Sequence, residues 1–185
     1  VLEGHGWDVK SVSWHPTKGL LATGSKDNTI KLWDPRVAGE GPLCTIHGHN
    51  NTVSKVSWNP LNGTWFVSAS RDQLLKMWDI RTMKSFQTYR AHKREVTAVA
   101  WHPFQESVFV SGSFDGSIHY WLTSMGESQA EICGAHDHAV WDLDWHPAGH
   151  VLASVSNDKT TKFWCRNRPG DEMKDKYNAN QLPDQ

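Results

Sequence analysis

The sequence predicts an all-β fold in which one four-stranded antiparallel unit occurs four times in succession. Two observations lead to this prediction: a strand–turn–strand pattern is found four times, and several marker residues recur with one common period. In the first copy, an apolar run from Leu20 precedes the turn Lys26-Asp27-Asn28, and a second run ends in Trp33-Asp34. The copies read LLATGSKDNTIKLWD from Leu20, FVSASRDQLLKMWD from Phe66, FVSGSFDGSIHYWL from Phe109 and LASVSNDKTTKFWC from Leu152.

The period is fixed by the histidines of Gly-His or Ala-His dipeptides, which stand at positions 5, 49, 92 and 136. Trp-x-Pro units and the turn aspartates keep the same register along the chain. A period of about 40–45 residues, with Gly-His early and Trp-Asp late, is typical of WD40 propeller blades. The chain therefore resembles four consecutive WD40 repeats of a β-propeller, covering residues 1–165. This resemblance implies that the four blades are part of a seven-bladed ring.

Each blade is expected to contain four strands, with boundaries near residues 5–47, 48–90, 91–134 and 135–165. The fourth blade lacks an outer strand of its own, because residues 166–185 form a polar extension without apolar alternation. Val1–Glu3 is interpreted as the end of an outer strand from a preceding blade. Three arrangements remain open: the chain is part of a longer propeller, four blades close alone as a strained ring, or two copies complete each other. The expected strands, beyond the pattern already described, are Val9–Trp14, Leu43–His47, Val53–Trp58, Trp65–Ser70, Leu74–Asp79, Ser85–Tyr89, Val96–Trp101, Val108–Ser113, Ser117–Leu122, Ala130–Cys133, Val140–Trp145, Val151–Ser156 and Thr161–Cys165.

Composition narrows the possible functions. A chain of 185 residues that is 38% hydrophobic can bury a sizeable core, and most of its 11 tryptophans recur at repeat positions, which favours blade packing over a ligand cage. The net charge of −1 provides no general attraction to nucleic acid or to an anionic membrane. Cys44, Cys133 and Cys165 form neither a disulfide framework nor a CxxC zinc motif, and they suit a reducing compartment. We find no membrane span and no signal peptide.

Every blade offers a histidine, a hydroxyl, an aspartate and a tryptophan in the same order. A recurring Ser/His/Asp set is compatible with hydrolysis, but four identical active sites in one chain would be unusual. In WD40 proteins, such a set is a structural hydrogen-bond chain in which Asp holds His, His meets the hydroxyl, and the hydroxyl meets the indole N–H. We therefore predict no catalytic residues and four structural tetrads. The tetrads are His5, Thr23, Asp27 and Trp33; His49, Ser68, Asp72 and Trp78; His92, Ser111, Asp115 and Trp121; and His136, Ser154, Asp158 and Trp164.

Three further groups of residues are candidate sites. His136 and His138, with Asp137 between them, lack a further ligand at metal spacing, so no metal and no cofactor is predicted. The residue before each turn aspartate is expected to point to one face of the ring, and these four residues form a candidate binding surface for a phosphate or a base. They are Lys26, Arg71, Phe114 and Asn157. The cations Arg166, Arg168, Lys174 and Lys176 are interleaved with acids, which favours a solvated tail.

Segments that depart from the generic repeat allow a narrower assignment. GHGWDVKSV from Gly4, SASRDQLLKMWDIRTMK from Ser68 and FWCRNRPGD from Phe163 resemble the WD-repeat subunit family of the pre-mRNA cleavage and polyadenylation specificity factor. The last segment is the most specific, because blade packing does not require RNRPGD after a final tryptophan. The resemblance covers nearly the whole chain and corresponds to the C-terminal blades of that family.

The resemblance implies a nuclear, non-catalytic scaffold of mRNA 3′-end formation. Its implied partners are the large propeller subunit and the zinc-finger subunit of the same machinery, with pre-mRNA contacted through the full complex and no membrane involved. No RNA contact is transferred to a residue of this chain, because the family's RNA-reading residues lie mainly in earlier segments. The alternative is a generic WD40 adaptor, such as a ubiquitin-ligase substrate receptor or a chromatin-associated reader. The sequence does not decide which surface binds which partner.

Overall fold

The structure, a computed structural model, describes residues 1–37 and 39–166. Its described residues form fifteen β-strands and one short 3-10 helix at Pro35–Val37. The strands are β1 Val9–Trp14, β2 Leu21–Ser25, β3 Thr29–Trp33, β4 Cys44–His47, β5 Val53–Trp58, β6 Trp65–Ser70, β7 Leu75–Asp79, β8 Lys84–Tyr89, β9 Val96–Trp101, β10 Val108–Ser113, β11 Ile118–Leu122, β12 Ser128–Ile132, β13 Val140–Trp145, β14 Val151–Ser156 and β15 Thr161–Cys165.

The strands form four antiparallel sheets in which each strand pairs with the next one along the chain. Blade one contains β1–β4, blade two β5–β8, blade three β9–β12 and blade four β13–β15. We call the first strand of each blade its inner strand and the fourth its outer strand. The predicted all-β class with four consecutive blades is confirmed. Among the described residues, blade four has three strands, and the polar extension from residue 167 onward lies outside them.

Two strand predictions differ from the structure by more than one residue. Val1–Glu3 is not a strand. To act as the outer strand of blade four it would have to pair with β15. Among the described residues, β15 pairs only with β14. The outer strand of blade three is Ser128–Ile132, two residues earlier than the predicted start at Ala130. The cause is a register irregularity between Tyr120 and Trp121, which brings Ser128 opposite Trp121.

The hairpin between the second and third strands of each blade depends on a residue with left-handed backbone geometry. This residue directly follows the turn aspartate and is Asn28, Gln73, Gly116 or Lys159, with φ between 66° and 81°. Positive φ allows a tight turn whose twist fits the flanking strands. The aspartate before it stabilises the turn by accepting the N–H two residues ahead, as Asp27 does from Thr29 at 2.9 Å.

The hydrophobic core lies between successive blades rather than within one of them. The cluster between blades one and two, for example, joins Ala22, Ile30 and Leu32 with Val56 and Trp58. Equivalent clusters join blade two to blade three and blade three to blade four. Each blade therefore depends on its neighbours for burial, as expected for a repeat protein.

Hydrogen bonds from the Trp-x-Pro units also join successive blades. The indole N–H of Trp58 donates to the carbonyl oxygen of Ser13 in the preceding blade at 3.1 Å, and Trp101 donates to Ser57 in the same way at 3.1 Å. The middle residue of the unit reaches the following blade, since Asn59 Nδ2 donates to the carbonyl oxygen of Glu106 at 2.8 Å. Packing clusters form at all three internal interfaces, whereas the indole N–H of Trp145, at the interface of blades three and four, has no hydrogen-bond partner among the described residues.

The inner strands surround a common axis. Lys55 on β5 and Asp142 on β13 form an ion pair at 3.1 Å, although their blades are separated by blade three. Such a contact requires both side chains to point toward the same central space. The turns that carry the aspartates and the loops before the inner strands meet at one end of this axis, as shown by the bond from Phe114 N–H to the carbonyl oxygen of Glu95 at 2.8 Å. We call this end the top face.

Candidate functional site

The structure brings together the four side chains of each tetrad in blades one, two and four. In blade two, His49 Nδ1 lies 2.9 Å from the Asp72 carboxylate, and His49 Nε2 lies 2.7 Å from the hydroxyl oxygen of Ser68. The indole N–H of Trp78 donates to the same hydroxyl oxygen at 2.8 Å. The carboxylate can only accept, so His49 Nδ1 carries the proton and its Nε2 accepts the Ser68 O–H. The four side chains form one directional chain from the indole to the carboxylate.

Blades one and four repeat this geometry. In blade one, His5 lies 2.8 Å from Asp27 and 2.7 Å from Thr23, whose hydroxyl oxygen accepts the Trp33 indole at 2.7 Å. Blade four has the same three contacts among His136, Asp158, Ser154 and Trp164 at 2.7, 2.7 and 2.8 Å.

The aspartate of each tetrad also fixes backbone. Asp72 accepts the N–H of Asn50, directly after the histidine, and that of Leu74 in the turn, at 3.0 and 3.1 Å. Burial by itself would raise the pKa of Asp72, but hydrogen bonds from His49 and the backbone outweigh it and hold the pKa below its usual value. The same balance lowers the pKa of Asp27, where the opposing bonds come first from Thr29 and His5. The carboxylates are therefore held in their ionised form, as acceptors.

Blade three departs from the predicted arrangement. Asp115 does not contact His92 directly: His92 Nδ1 lies 3.2 Å from the hydroxyl oxygen of Ser117, and that hydroxyl donates to Asp115 at 2.5 Å. The same blade has a second histidine, His119, whose ring lies against that of His92 with centroids 4.3 Å apart. The other blades carry lysine at this strand position, namely Lys31, Lys76 and Lys162.

This pair of buried rings disfavours a charged imidazole. Burial is the main cause that lowers the pKa of His92, to about 3, and the neighbouring His119 lowers it further, while Asp115 partly opposes both. Burial also lowers the pKa of His119, and this effect outweighs the carboxylates of Glu131 and Asp115, which raise the pKa. The sequence signal for this departure is the replacement of the usual lysine by histidine.

The tetrads do not present a nucleophile to solvent. The hydroxyl-bearing residues Ser68, Ser111 and Ser154 are completely buried, and Thr23 is nearly so. Each hydroxyl oxygen is occupied by an indole N–H. Solvent hardly reaches these hydroxyl groups, and their hydrogen bonds connect strands and turns within each blade.

The four candidate binding residues lie on the top face, but each is already engaged by a neighbour. The Lys26 ammonium lies 4.6 Å from the centre of the Trp7 ring, and the Arg94 guanidinium lies 4.4 Å from that of Phe114. Arg71 pairs with Glu95 at 3.4 Å, and Asn157 accepts a hydrogen bond from the indole N–H of Trp141. The predicted residues therefore support other side chains that reach solvent.

The side chains that project from this surface are Trp7 and Trp141, which are 62% and 47% exposed. The ring of Trp141 also meets that of Phe114 edge-on at 6.2 Å. Sequence reasoning treated the tryptophans together as packing residues and missed these two. The sequence feature that could have identified them is that neither tryptophan recurs in the other blades. The residues equivalent to Trp141, for example, are Lys10, Ser54 and Thr97. We call Trp7, Arg94, Phe114 and Trp141 the top-face aromatic group.

Two other features can be stated for the described part of the chain. No three histidine, cysteine, aspartate or glutamate side chains there come together as a metal-binding group. No helix within residues 1–37 and 39–166 is long and apolar enough to span a membrane.

Comparisons with known proteins agree with this architecture. The family model "WD domain, G-beta repeat" (WD40) matches the chain four times, at residues 1–34, 40–79, 83–121 and 127–165. Polyadenylation factor subunit 2 of Gibberella zeae is 43% identical over 95% of this chain and 33% of its own length. The Neurospora crassa protein of the same name is 41% identical over 92% of the chain and 30% of its own length. Periodic tryptophan protein 2 of Arabidopsis thaliana is 30% identical over 88% of the chain and 18% of its own length.

The chain thus spans about a third of the length of the polyadenylation factor subunits that it matches. The four matches of the family model cover most of residues 1–165, and each match ends on the third strand of a blade or one residue after it, close to the tetrad tryptophan. On the strength of these four repeats, the chain belongs to the WD40 repeat family.

Proposed function

We propose that this chain is a non-catalytic WD40 scaffold of the mRNA 3′-end cleavage and polyadenylation machinery and works in the nucleus. The observation that carries the proposal is the similarity to fungal polyadenylation factor subunit 2 along almost the whole chain. The proposed partners are other subunits of that machinery, namely its large propeller subunit and its zinc-finger subunit. Pre-mRNA is contacted through the assembled complex.

The absence of a catalytic role is supported by the buried tetrads. Within residues 1–37 and 39–166, the repeated set of a hydroxyl residue, His and Asp has hydroxyls that solvent hardly reaches. Its aspartates are used to fix backbone N–H groups at the turns. The role of the sixteen tetrad residues in this proposal is to stiffen the blades so that exposed residues keep fixed positions.

We assign partner binding to the top face, and in particular to the top-face aromatic group. Exposed tryptophans beside cations are common anchors in protein interfaces, because a large ring buries much area when a partner covers it. Lys26, Phe114 and Asn157 contact members of this group, and Arg71 adds a cation that is paired with Glu95. The remainder of the top face is polar, which suits a surface that stays soluble without its partner.

The proposal is tested by purifying the tagged chain and passing nuclear extract from the source cells over it, with mass spectrometry of the retained proteins. The circular dichroism and tryptophan fluorescence of the bait are first checked for a folded state. We expect retention of polyadenylation-machinery subunits. A folded bait that retains ligase or chromatin components instead would support the generic adaptor and exclude the present assignment.

A matched pair of variants tests the assigned surface. Trp141→Ala removes a top-face ring, whereas Phe104→Ala removes a more exposed aromatic ring from the loop after a Trp-x-Pro unit, away from the top face. We expect the first variant to lose most of the retained subunits and the second to keep them. Equal retention by both variants would move the binding surface elsewhere while leaving the assignment to the machinery intact.

A further inference from the structure

The loop between the first two strands of blade two contains the only Asn-Gly dipeptide in the sequence, Asn62-Gly63. In such a dipeptide, the backbone nitrogen of the glycine can attack the side-chain amide of the asparagine, because glycine has no side chain to obstruct the approach. The product is a five-membered cyclic imide, and ammonia is released. Whether this reaction occurs in a folded protein depends on what surrounds the two residues.

The glycine of this dipeptide is required by the packing of blade one on blade two. A Cβ atom added to Gly63 would lie 2.6 Å from Cε1 and 3.0 Å from Nε2 of the buried His15 ring. In blade four, a Cβ atom added to Gly149 would lie 2.8 Å from His102 Cε1 of blade three, and the preceding residue there is Ala148. Packing therefore dictates the glycine at both interfaces, whereas an asparagine before it is particular to blade two.

The side-chain amide of Asn62 is held by two donors from one residue. Its oxygen Oδ1 accepts the Thr64 backbone N–H at 3.0 Å and the Thr64 hydroxyl at 2.5 Å. When the Gly63 nitrogen attacks Cγ, negative charge develops on this oxygen, so both donors stabilise the transition state as an oxyanion hole does. The two hydrogen bonds also hold the amide in one orientation, which reduces the entropy lost in reaching the reactive geometry.

The two nitrogen atoms that react are not engaged in this way. Among the described residues, neither the Gly63 N–H nor Asn62 Nδ2 takes part in a hydrogen bond. The backbone of the loop is nevertheless anchored, because the Asn62 N–H donates to Asn59 Oδ1 at 2.8 Å and the Trp65 N–H donates to the Asn62 carbonyl oxygen at 3.3 Å. Asn62 and Gly63 are only partly buried, so water reaches them. Nucleophile and leaving group thus remain available in a loop of fixed shape.

We propose that Asn62 is a site of spontaneous deamidation, with water as the co-reactant. The Gly63 nitrogen loses its proton to hydroxide and forms a bond to Asn62 Cγ. The bond from Cγ to Nδ2 then breaks, and Nδ2 takes a proton from water and leaves as ammonia. A second water molecule opens the imide. Cleavage of the new bond to Cγ gives aspartate, and cleavage of the original peptide bond gives isoaspartate.

The modification would weaken the contacts of blade two with its neighbours. Both products add a carboxylate to a loop that packs against the buried His15 ring. Isoaspartate also adds one carbon atom to the backbone before Gly63, at a point where the interface leaves no space for an additional atom. Asn59 binds this loop through its Oδ1 and donates from Nδ2 to the carbonyl oxygen of Glu106 at 2.8 Å, so a displaced loop also affects the contact with blade three.

The test is incubation of the folded 185-residue chain in mildly alkaline buffer at physiological temperature, followed over time by peptide mass spectrometry. Electron-transfer fragmentation distinguishes aspartate from isoaspartate at position 62. Thr64→Val removes the hydroxyl donor but keeps the backbone N–H and the shape of the side chain, and Thr64→Ser keeps both donors. Near-ultraviolet circular dichroism verifies that both variants are folded. The other asparagines of the described chain serve as internal references.

We expect Asn62 to react faster than any other described asparagine and to give both products. Thr64→Val should slow the reaction about tenfold, the effect of one hydrogen bond on a rate, and Thr64→Ser should match the parent chain. The deamidated fraction, separated by its additional negative charge, should unfold at a lower urea concentration than the unmodified chain. An Asn62 that reacts no faster than the reference asparagines would overturn the proposal, as would a Thr64→Val variant that reacts as fast as Thr64→Ser. A deamidated fraction as stable as the unmodified chain would refute the weakening of the blade contacts.

Discussion

Replacing Ser68 by alanine tests whether the tetrads stabilise the blades. The Ser68 hydroxyl connects two buried groups, since it accepts the Trp78 indole N–H at 2.8 Å and meets His49 Nε2 at 2.7 Å. Ser68 is completely buried and both partners are nearly so, so water cannot replace the lost oxygen without opening the blade. The variant leaves one donor and one acceptor unsatisfied.

The expected effect follows from these two groups. Each unsatisfied buried polar group costs about 1–3 kcal/mol, so the two groups exposed by Ser68→Ala should lower the free energy of unfolding by about 2–6 kcal/mol. A typical domain has only about 5–15 kcal/mol in total. With a urea dependence of about 2 kcal/mol per molar, a loss of about 3 kcal/mol shifts the unfolding midpoint by roughly 1.5 M.

The assay is urea unfolding followed by tryptophan fluorescence, with two controls. Ser85→Ala changes an exposed serine on β8 and should alter stability by no more than about 0.5 kcal/mol. Ser68→Thr keeps the hydroxyl, as Thr23 does in blade one, and should recover most of the loss. If Ser68→Ala is as stable as Ser85→Ala, the hydrogen-bond chain does not stabilise the blade and the structural interpretation of the tetrads is wrong.

Three further predictions follow from the structure. Acidification should destabilise the protein from about pH 6.5 downward. The folded-state pKa of His92 is lowered to about 3, so between about pH 6.5 and pH 3 the unfolded chain binds more protons than the folded one. The stability that is present above pH 6.5 is therefore lost as the pH falls. His119→Gln should make the stability depend less steeply on pH, because His119 lowers the pKa of His92 and its own pKa is lowered by burial. Urea unfolding midpoints between pH 7 and pH 4.5 measure this pH dependence. An unchanged pH dependence in the variant would contradict the role given to the two buried histidines. Gly112→Val should lower the free energy of unfolding by roughly 3 kcal/mol, since a Cβ would lie 2.6 Å from Val140 Cγ1, whereas Gly19→Val, in open space, should change it much less. Trp141→Ala should change stability by less than about 1 kcal/mol while abolishing partner retention, because the ring is exposed; a large stability loss in thermal unfolding would mean that the ring serves packing instead.

The sequence allowed most of the fold to be predicted because each blade repeats the same local signals. The turn aspartate, the positive-φ position after it and the alternating apolar residues occur in all four copies, so agreement among copies corrected the ambiguity of any single one. The outer strands were less certain, since they carry fewer apolar residues and contribute less to the inter-blade clusters. Ser128–Ile132 is the clearest case, because its start depends on a register irregularity that leaves no mark in composition.

The candidate site was only partly predictable, for a different physical reason. Tetrad contacts repeat in blades one, two and four, but blade three is altered by His119, a neighbour on the third strand rather than a tetrad member. On the top face, the residue before each turn aspartate was chosen by its position in the repeat. The contacts that decide its role come from loops and inner strands, as with Arg94 over Phe114. Pairings between separate elements cannot be read from one repeat position at a time.

A residue type that is the same in every blade cannot distinguish one partner or one neighbouring blade from another. The tetrads satisfy this description, and their hydrogen bonds fix the turns so that the top-face side chains occupy defined positions. Recognition of a specific partner must therefore depend on residues that differ from one blade to the next. The rigid blades hold such a residue in a fixed position, so a single changed residue can alter binding. Trp141 replaces small or charged residues on the inner strand, and Val155 replaces glycine or alanine on the second strand. The first adds an exposed ring toward solvent, and the second places a larger, partly exposed side chain on the open face of blade four.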